Sequence, residues 1–170
     1  MADDKKTVVL DVDGYEVLTK AIMALVNEYP LLSNTEVIEF ATLSETRGIG
    51  LFPMSGAVIE SQSRDILGYV SQNCVYPFTI YRRSGSADAA RRISIKEWLD
   101  DLGRWLEGQT ISDGSESYTL ESYPVLTGTR RIRSIARTAP AYLAGTDESG
   151  TEDWAVSIAV HYTNEFEGGL

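Results

Sequence analysis

Nucleophilic chemistry in this chain would have to come from one thiol, Cys74, and one imidazole, His161. A Cys/His pair works only when the two side chains lie within hydrogen-bond reach, so that the base can take the thiol proton. The alternation around Cys74 argues against it. Val70, Cys74, Tyr76, Phe78 and Ile80 fall at every second position or multiples of it, the pattern of a half-buried strand face. There a cysteine acts as a small hydrophobe, its thiol pKa raised rather than lowered. His161 falls opposite the apolar set Trp154, Val156, Ile158, Val160 and Tyr162, beside Ala159 and Ser157, which reads as a polar residue facing solvent or another subunit. A single cysteine also leaves no intramolecular disulfide and no Cys-based zinc site. The expectation is no catalytic residue, no metal and no cofactor.

The other polar candidates have plainer readings. Asp100 and Asp101 sit at positions that a helix would turn toward water, and a solvated face accounts for them. The segment from Gly48 to Gly56 has glycines but no Lys-Ser/Thr pair and no helix start after it, so it reads as a flexible loop and not a phosphate loop. Basic clustering stands out against an acidic background. Arg82, Arg83, Arg91 and Arg92 flank an elbow between a strand and a helix, while Arg130, Arg131, Arg133 and Arg137 crowd one short strand. The spacing is read as putting Arg131, Arg133 and Arg137 on one face. Solvated strands often carry arginine, but the guanidinium also pairs with carboxylates in a fork and is favoured at interfaces, so these residues are candidates for meeting acidic patches of adjacent subunits.

Those side chains need elements to hold them. Asp13-Gly14-Tyr15-Glu16 has capping-box spacing, predicting a helix from Gly14 with Tyr15, Leu18, Ile22, Leu25, Val26 and Tyr29 on its apolar face and Pro30 beyond its end. A short strand is expected within 36–43, with Ile38 and Phe40 on one face. Strands over 57–62 and 68–82 are read as a hairpin turning at Ser63-Arg64-Asp65. Ile95, Trp98, Leu99, Leu102, Trp105 and Leu106 form a second helical stripe that ends at Gly108, with Trp98 and Trp105 anchoring it on a sheet. A loop rich in Gly, Ser and acids follows at 110–116. Strands at 130–138 and 154–162 come last, joined by the acidic loop GTDESGTED. Strands grouped in twos and threes around two helices predict an α+β fold, a largely antiparallel β-sheet with both helices packed on one face. At 170 residues and 43% hydrophobic, one domain over 1–170 is the expectation.

Charge bounds the partners. Fifteen Lys plus Arg against 25 Asp plus Glu give a net charge of -10, which disfavours sequence-specific nucleic-acid binding, since phosphate contacts come mainly from Lys and Arg. An acidic surface still suits DNA passing without sticking. The opening MADDKKTVVLDVDG carries charges where a signal peptide needs an apolar run, and no stretch approaches the ~20 apolar residues of a membrane span.

Three segments together carry a family resemblance: GLFPMSGAVIESQSRDILGYV, the aromatic strand ending YPFTIYRRS, and the helix IKEWLDDLGRWLEG. Over about Gly48 to Gly108 the chain resembles the minor capsid or tail-terminator proteins of tailed bacteriophages, and elsewhere it follows them in element order. The resemblance implies a non-enzymatic virion structural protein, assembled in the host cytoplasm, that closes the tail tube at the head-tail junction as a homo-oligomeric ring, a hexamer in the family. Its partners would be further copies of itself, the tail tube protein and the head-tail connector protein. It also makes the 48–56 segment a contact with a neighbouring ring. The candidate interface is then Phe52, Met54, Arg82, Arg83, Arg131, Arg133 and Arg137. Rival readings are another head-tail joining protein, such as a head-closure protein or connector adaptor, a small intracellular hydrolase using surface carboxylates and His161, and a self-associating module of non-viral origin. The hydrolase would need a pocket lined by converging polar groups, whereas a structural subunit is expected to show flat interfaces.

Overall fold

The computed structural model describes residues 7–169; the charged opening 1–6, read above against a cleaved signal, lies outside them. The elements run β1 (Val9–Leu10), α1 (Val12–Val26), β2 (Ile38–Phe40), β3 (Gly48–Pro53), β4 (Val58–Arg64), β5 (Tyr69–Ser84), α2 (Ala89–Leu106), β6 (Ile111–Ser112), β7 (Ser117–Tyr118), β8 (Arg130–Arg137), β9 (Tyr142–Thr146) and β10 (Glu152–Glu167). The fold is α+β with a mostly antiparallel sheet. Two 16-residue strands, β5 and β10, pair along their whole length from Glu152↔Ser84 to Glu167↔Tyr69. Shorter strands flank them in tandem: β4 and β3 share the outer edge of β5, while β8 and β9 share that of β10. Only β2, which adds to β3, runs parallel.

Alternation along β5 and β10 sends one set of side chains to a single core. Cys74, Tyr76, Phe78 and Ile80 pack with Val156, Ile158, Val160 and Tyr162, all at 1% exposure or less. Both helices lie on this face. Tyr15 and Thr19 of α1 meet Tyr76, the two hydroxyls 2.8 Å apart, and Trp98 of α2 lies against Arg82. Trp105 is buried as the helical stripe requires. Trp98 is only partly covered, its ring edge-on to Tyr29 and its Nε1 donating to the Leu31 carbonyl at 3.1 Å. Past α2, Gly108 takes φ +81°, and the amides of Gly108 and Gln109 return to the carbonyls of Trp105 and Arg104, which closes the helix in a Schellman turn.

Several elements depart from the sequence reading. The first helix is capped two residues earlier than expected: Asp11 accepts from the Gly14 amide at 3.0 Å, and Asp13 lies within the first turn. Asp11 won because it also finds Arg130 and Tyr162, partners that local spacing does not reveal. The segment expected as a flexible loop holds β3, a strand in register with β5 from Gly48↔Arg83 to Pro53↔Phe78. Glycine there serves close approach, since a Cβ on Gly50 would meet the Thr42 carbonyl at 2.6 Å. The hairpin turn falls at Asp65 to Gly68, not at Ser63. Phe40 is 42% exposed while Ile38 is buried, so the two do not share the core. Of the stretches read as loops, 110–116 holds β6, with β7 just beyond it, and GTDESGTED is entered by the end of β9 and the start of β10; the turns between these strands are organised by Asp113 and Asp147, whose carboxylates gather the turn amides.

Candidate functional site

Cys74 and His161 are held on opposite faces of one sheet. Cys74 pairs with Tyr162 across the strands and is buried against the helices, where burial pushes its thiol up to about 11. His161 pairs with Val75 and Ser134 and is exposed on the other side. Adjacent strand positions cannot point the same way, so no Cys/His pair forms.

Asp100 overturns its solvated reading. It is 4% exposed and accepts from Lys96 Nζ at 2.7 Å, from the Ala141 amide at 2.8 Å and from Arg137 Nη1 at 3.5 Å. Burial by itself raises its pKa, but these donors outweigh burial and hold the carboxyl below its ordinary range. Asp101 does sit at the surface side, paired with Arg104 at 2.7 Å.

The candidate arginines separate by face. A bulge in β8 opposite His161/Tyr162 lets Ile132 and Ile135 both point into the core, three residues apart, so the parity of the strand changes at Arg133. Arg137 is therefore turned to the helix face, contrary to the expectation that it shares one with Arg131 and Arg133. Its stem lies across Gly103, where any Cβ would collide with it, and its Nε donates to Glu107 at 2.8 Å. Arg130 is likewise internal, forked onto Asp11 at 2.8 and 2.6 Å. Burial raises the Asp11 pKa, yet the bonds from Arg130, Tyr162 and Gly14 more than offset this and leave it depressed. Arg131 and Arg133 are exposed; Arg133 Nε touches Thr163 Oγ1 at 3.1 Å, which puts it over the face away from the helices.

That face carries no helix and no strand among the described residues; loop 41–47 leans on one corner, where the Ser44 carbonyl accepts from Arg83. Its pattern is small and apolar at the centre, with Val75, Pro77, Ala155, Ser157 and Ala159, and aromatic at one end. There Phe52 stands edge-on to Tyr81 at 5.4 Å, and Tyr142 pairs with Ala155. Met54 follows β3 at 61% exposure. Phe52 and Met54 are thus presented by a strand and the residue after it; Phe52 shares its sheet face with Arg131 and Arg133, which lie six residues further along β10, at Thr163, but not with Arg82 or Arg137.

Arg82 and Arg83 occupy the far end of β5. Arg83 is forked onto Asp153 at 2.7 and 2.9 Å. Arg82 donates to Glu36 at 2.9 Å and stacks over Trp98 with its guanidinium carbon 4.2 Å from the ring centre. Both line an open cleft of about 780 Å³ together with Glu36, Arg47 and Arg91. The cleft departs from the flat surfaces expected of a structural subunit and is concave and lined by polar groups, as the hydrolase reading would need. Arg47 and Arg91 converge from distant segments, and no local motif marks them. Neither Cys74 nor His161 lines the cleft.

No helix among the described residues is long and apolar enough to cross a membrane. No protein-family model matches the chain, and a search of curated proteins likewise returned no match.

Proposed function

We propose that the chain is a non-enzymatic virion structural protein of a tailed bacteriophage, a tail terminator that assembles as a ring, caps the tail tube and offers a docking surface to the head-tail connector. The observation that carries this reading is the sheet face opposite the helices: a centre of small side chains, with Ala155, Thr79 and Ala159 already buried within the subunit and Val75, Pro77 and Ser157 half-buried, an aromatic rim of Phe52, Tyr81 and Tyr142, and two exposed arginines, with no covering helix or strand among the described residues. An uncovered sheet face with apolar and aromatic content suits burial against another chain. Its free flanking strands add to this. All five residues of β9 are exposed, and its outer edge offers unpaired backbone groups to a neighbour. The β3-β4-β5-α2 unit that resembles the tail-terminator family is one contiguous half of the sheet with its helix, which supports treating the resemblance as structural.

The mechanism is steric. A ring seated on the last tube ring occupies the position where the next would stack, so elongation stops and a new surface is presented. The subunit contacts are assigned to Phe52, Met54, Arg131 and Arg133, while Arg82, Arg83 and Arg137 hold the subunit itself together. The reading is tested by the mass of the purified protein in solution and in the presence of tail tubes. Rings that cap tube ends, lost on reversing Arg131 and Arg133 to glutamate, are the expected result. A monomer that neither self-associates nor binds tube ends would overturn it.

A further inference from the structure

The arginine cleft at the end of β5 has a feature that its own salt bridges do not explain. Arg82 Nη2 is bonded to Glu36, but Nη1 is buried and has no hydrogen-bond partner among the described residues. A buried guanidinium nitrogen left without an acceptor is costly. Arg91, from the first turn of α2, brings a second positive charge toward it, and this like charge adds to the burial that lowers the Arg82 pKa. Arg47 enters from the loop before β3, and neither Arg47 nor Arg91 has an ion-pair partner among the described residues. Glu36 and Glu39 are the carboxylates lining the cleft. Glu36 answers Arg82, and Arg83 is satisfied by Asp153. Cationic donors therefore converge on an open space with fewer acceptors than they can serve, in a chain whose net charge is -10.

We infer that this cleft is a binding site for an acidic polypeptide segment, whose side-chain carboxylates are received by the exposed Arg47 and Arg91 in the positive field of Arg82. The fork of a guanidinium matches a carboxylate in two parallel hydrogen bonds. The size of the cleft exceeds what a single oxyanion fills and lies in the range that takes several linked groups. Val37, exposed at the cleft wall, gives a peptide stem something apolar to lie on. Trp98 packs under the Arg82 guanidinium and Glu36 holds its Nη2, which fixes its plane; Nη1 is shut off from solvent, so the exposed Arg47 and Arg91 are the donors a ligand meets. The site does not depend on the ring reading, because none of its residues is among Phe52, Met54, Arg131 and Arg133.

The test is calorimetric titration of the intact protein with acetyl-tetraglutamate amide, at low and at moderate salt, with acetyl-tetraglutamine amide and inorganic phosphate as separate arms. The variant is Arg47→Gln with Arg91→Gln, two exposed side chains whose loss leaves the Arg82-Glu36-Trp98 stack in place; its thermal melt is checked against the parent. Expected are saturable binding of the glutamate peptide that weakens with salt, no binding of the glutamine peptide, and at least a tenfold loss of affinity in the variant. Absence of glutamate-peptide binding at low salt would overturn the inference. So would binding that the double variant leaves unchanged, or phosphate bound as tightly as the peptide. A protein that forms no rings yet binds the peptide would overturn the ring reading alone.

Discussion

Two groups of four arginines, one on β8 and one at the elbow between β5 and α2, look alike in sequence and are used differently. On β8 the division is clean. Arg130 and Arg137 point inward and are met by Asp11 and by Glu107 with Asp100, whereas Arg131 and Arg133 point outward to solvent. Strand geometry, shifted by one bulge, does the sorting. At the elbow three of the four have carboxylate partners, Arg82 with Glu36, Arg83 with Asp153 and Arg92 with Glu152, but Arg82 is only half satisfied and faces Arg91. Buried and fully paired arginine is structure. Buried and partly paired arginine beside a cleft lends its field to the exposed Arg47 and Arg91.

The comparison is broken most severely by removing a partner on the β8 side. Asp11 caps α1, receives the Arg130 fork and accepts the Tyr162 hydroxyl at 2.7 Å. Asp11→Ala deletes all three at once and leaves a guanidinium at 14% side-chain exposure without its counter-charge. Breaking such a buried pair costs about 3–5 kcal/mol. Urea denaturation should show a loss of that size, and a loss under about 1 kcal/mol would show that Arg130 reaches water after all.

A smaller effect is expected from the other inward arginine. Arg137→Ala removes the bonds to Glu107 and Asp100, but Asp100 keeps Lys96 and the Ala141 amide. A loss of about 2 kcal/mol is expected for charged hydrogen bonds of this kind. Gly103→Ala should give part of the same loss by pushing the Arg137 stem off the helix, a small-to-large change where there is no room. Equal melts for both variants and the parent would remove Arg137 from the structural side of the comparison.

Acid should act on the same two carboxylates. The pKa values of Asp11 and Asp100 in the folded protein lie below their ordinary value of 3.8. A folded pKa below the unfolded one contributes stability that is full above the unfolded value and is lost as pH falls through the folded one. The melting temperature should therefore fall below about pH 4, and Asp11→Asn should flatten that fall. A variant whose acid slope matches the parent's would place the acid sensitivity elsewhere.

Much of this arrangement was readable from periodicity. The faces of β5, α2 and β10 follow from alternation and the 3.6-residue stripe, because long elements repeat their signal many times. What stayed hidden rests on single long-range partners. Asp13 has the better capping spacing, yet Asp11 wins through Arg130 and Tyr162, more than a hundred residues away. Asp100 looks solvated because its helix position is polar, and only the strand connection carrying Ala141 buries it. The bulge at Arg133 leaves no mark in residue type, and one shifted residue was enough to misplace Arg137. Arg47 and Arg91 converge on the cleft only once β3 is recognised as a strand, and its glycines disguised it as a loop.

The outward pair gives the smallest effect on stability and the sharpest one on assembly. Arg131 and Arg133 are exposed, and Arg133 makes one hydrogen bond, to Thr163. Reversal of both, Arg131→Glu with Arg133→Glu, should change unfolding free energy by no more than about 0.5 kcal/mol, as surface substitutions do. If the pair faces acidic surface on a neighbouring copy, the same change sets like charges across that contact, a cost of several kcal/mol per interface. A closed ring repeats the contact around its circumference, so the penalty recurs at each one. Light scattering should then find the parent as a ring and the double variant as a folded monomer of unchanged melting temperature. Rings of normal mass from the variant would return both arginines to solvent, and the uncovered sheet face would have to associate through Phe52, Tyr81 and Tyr142 alone.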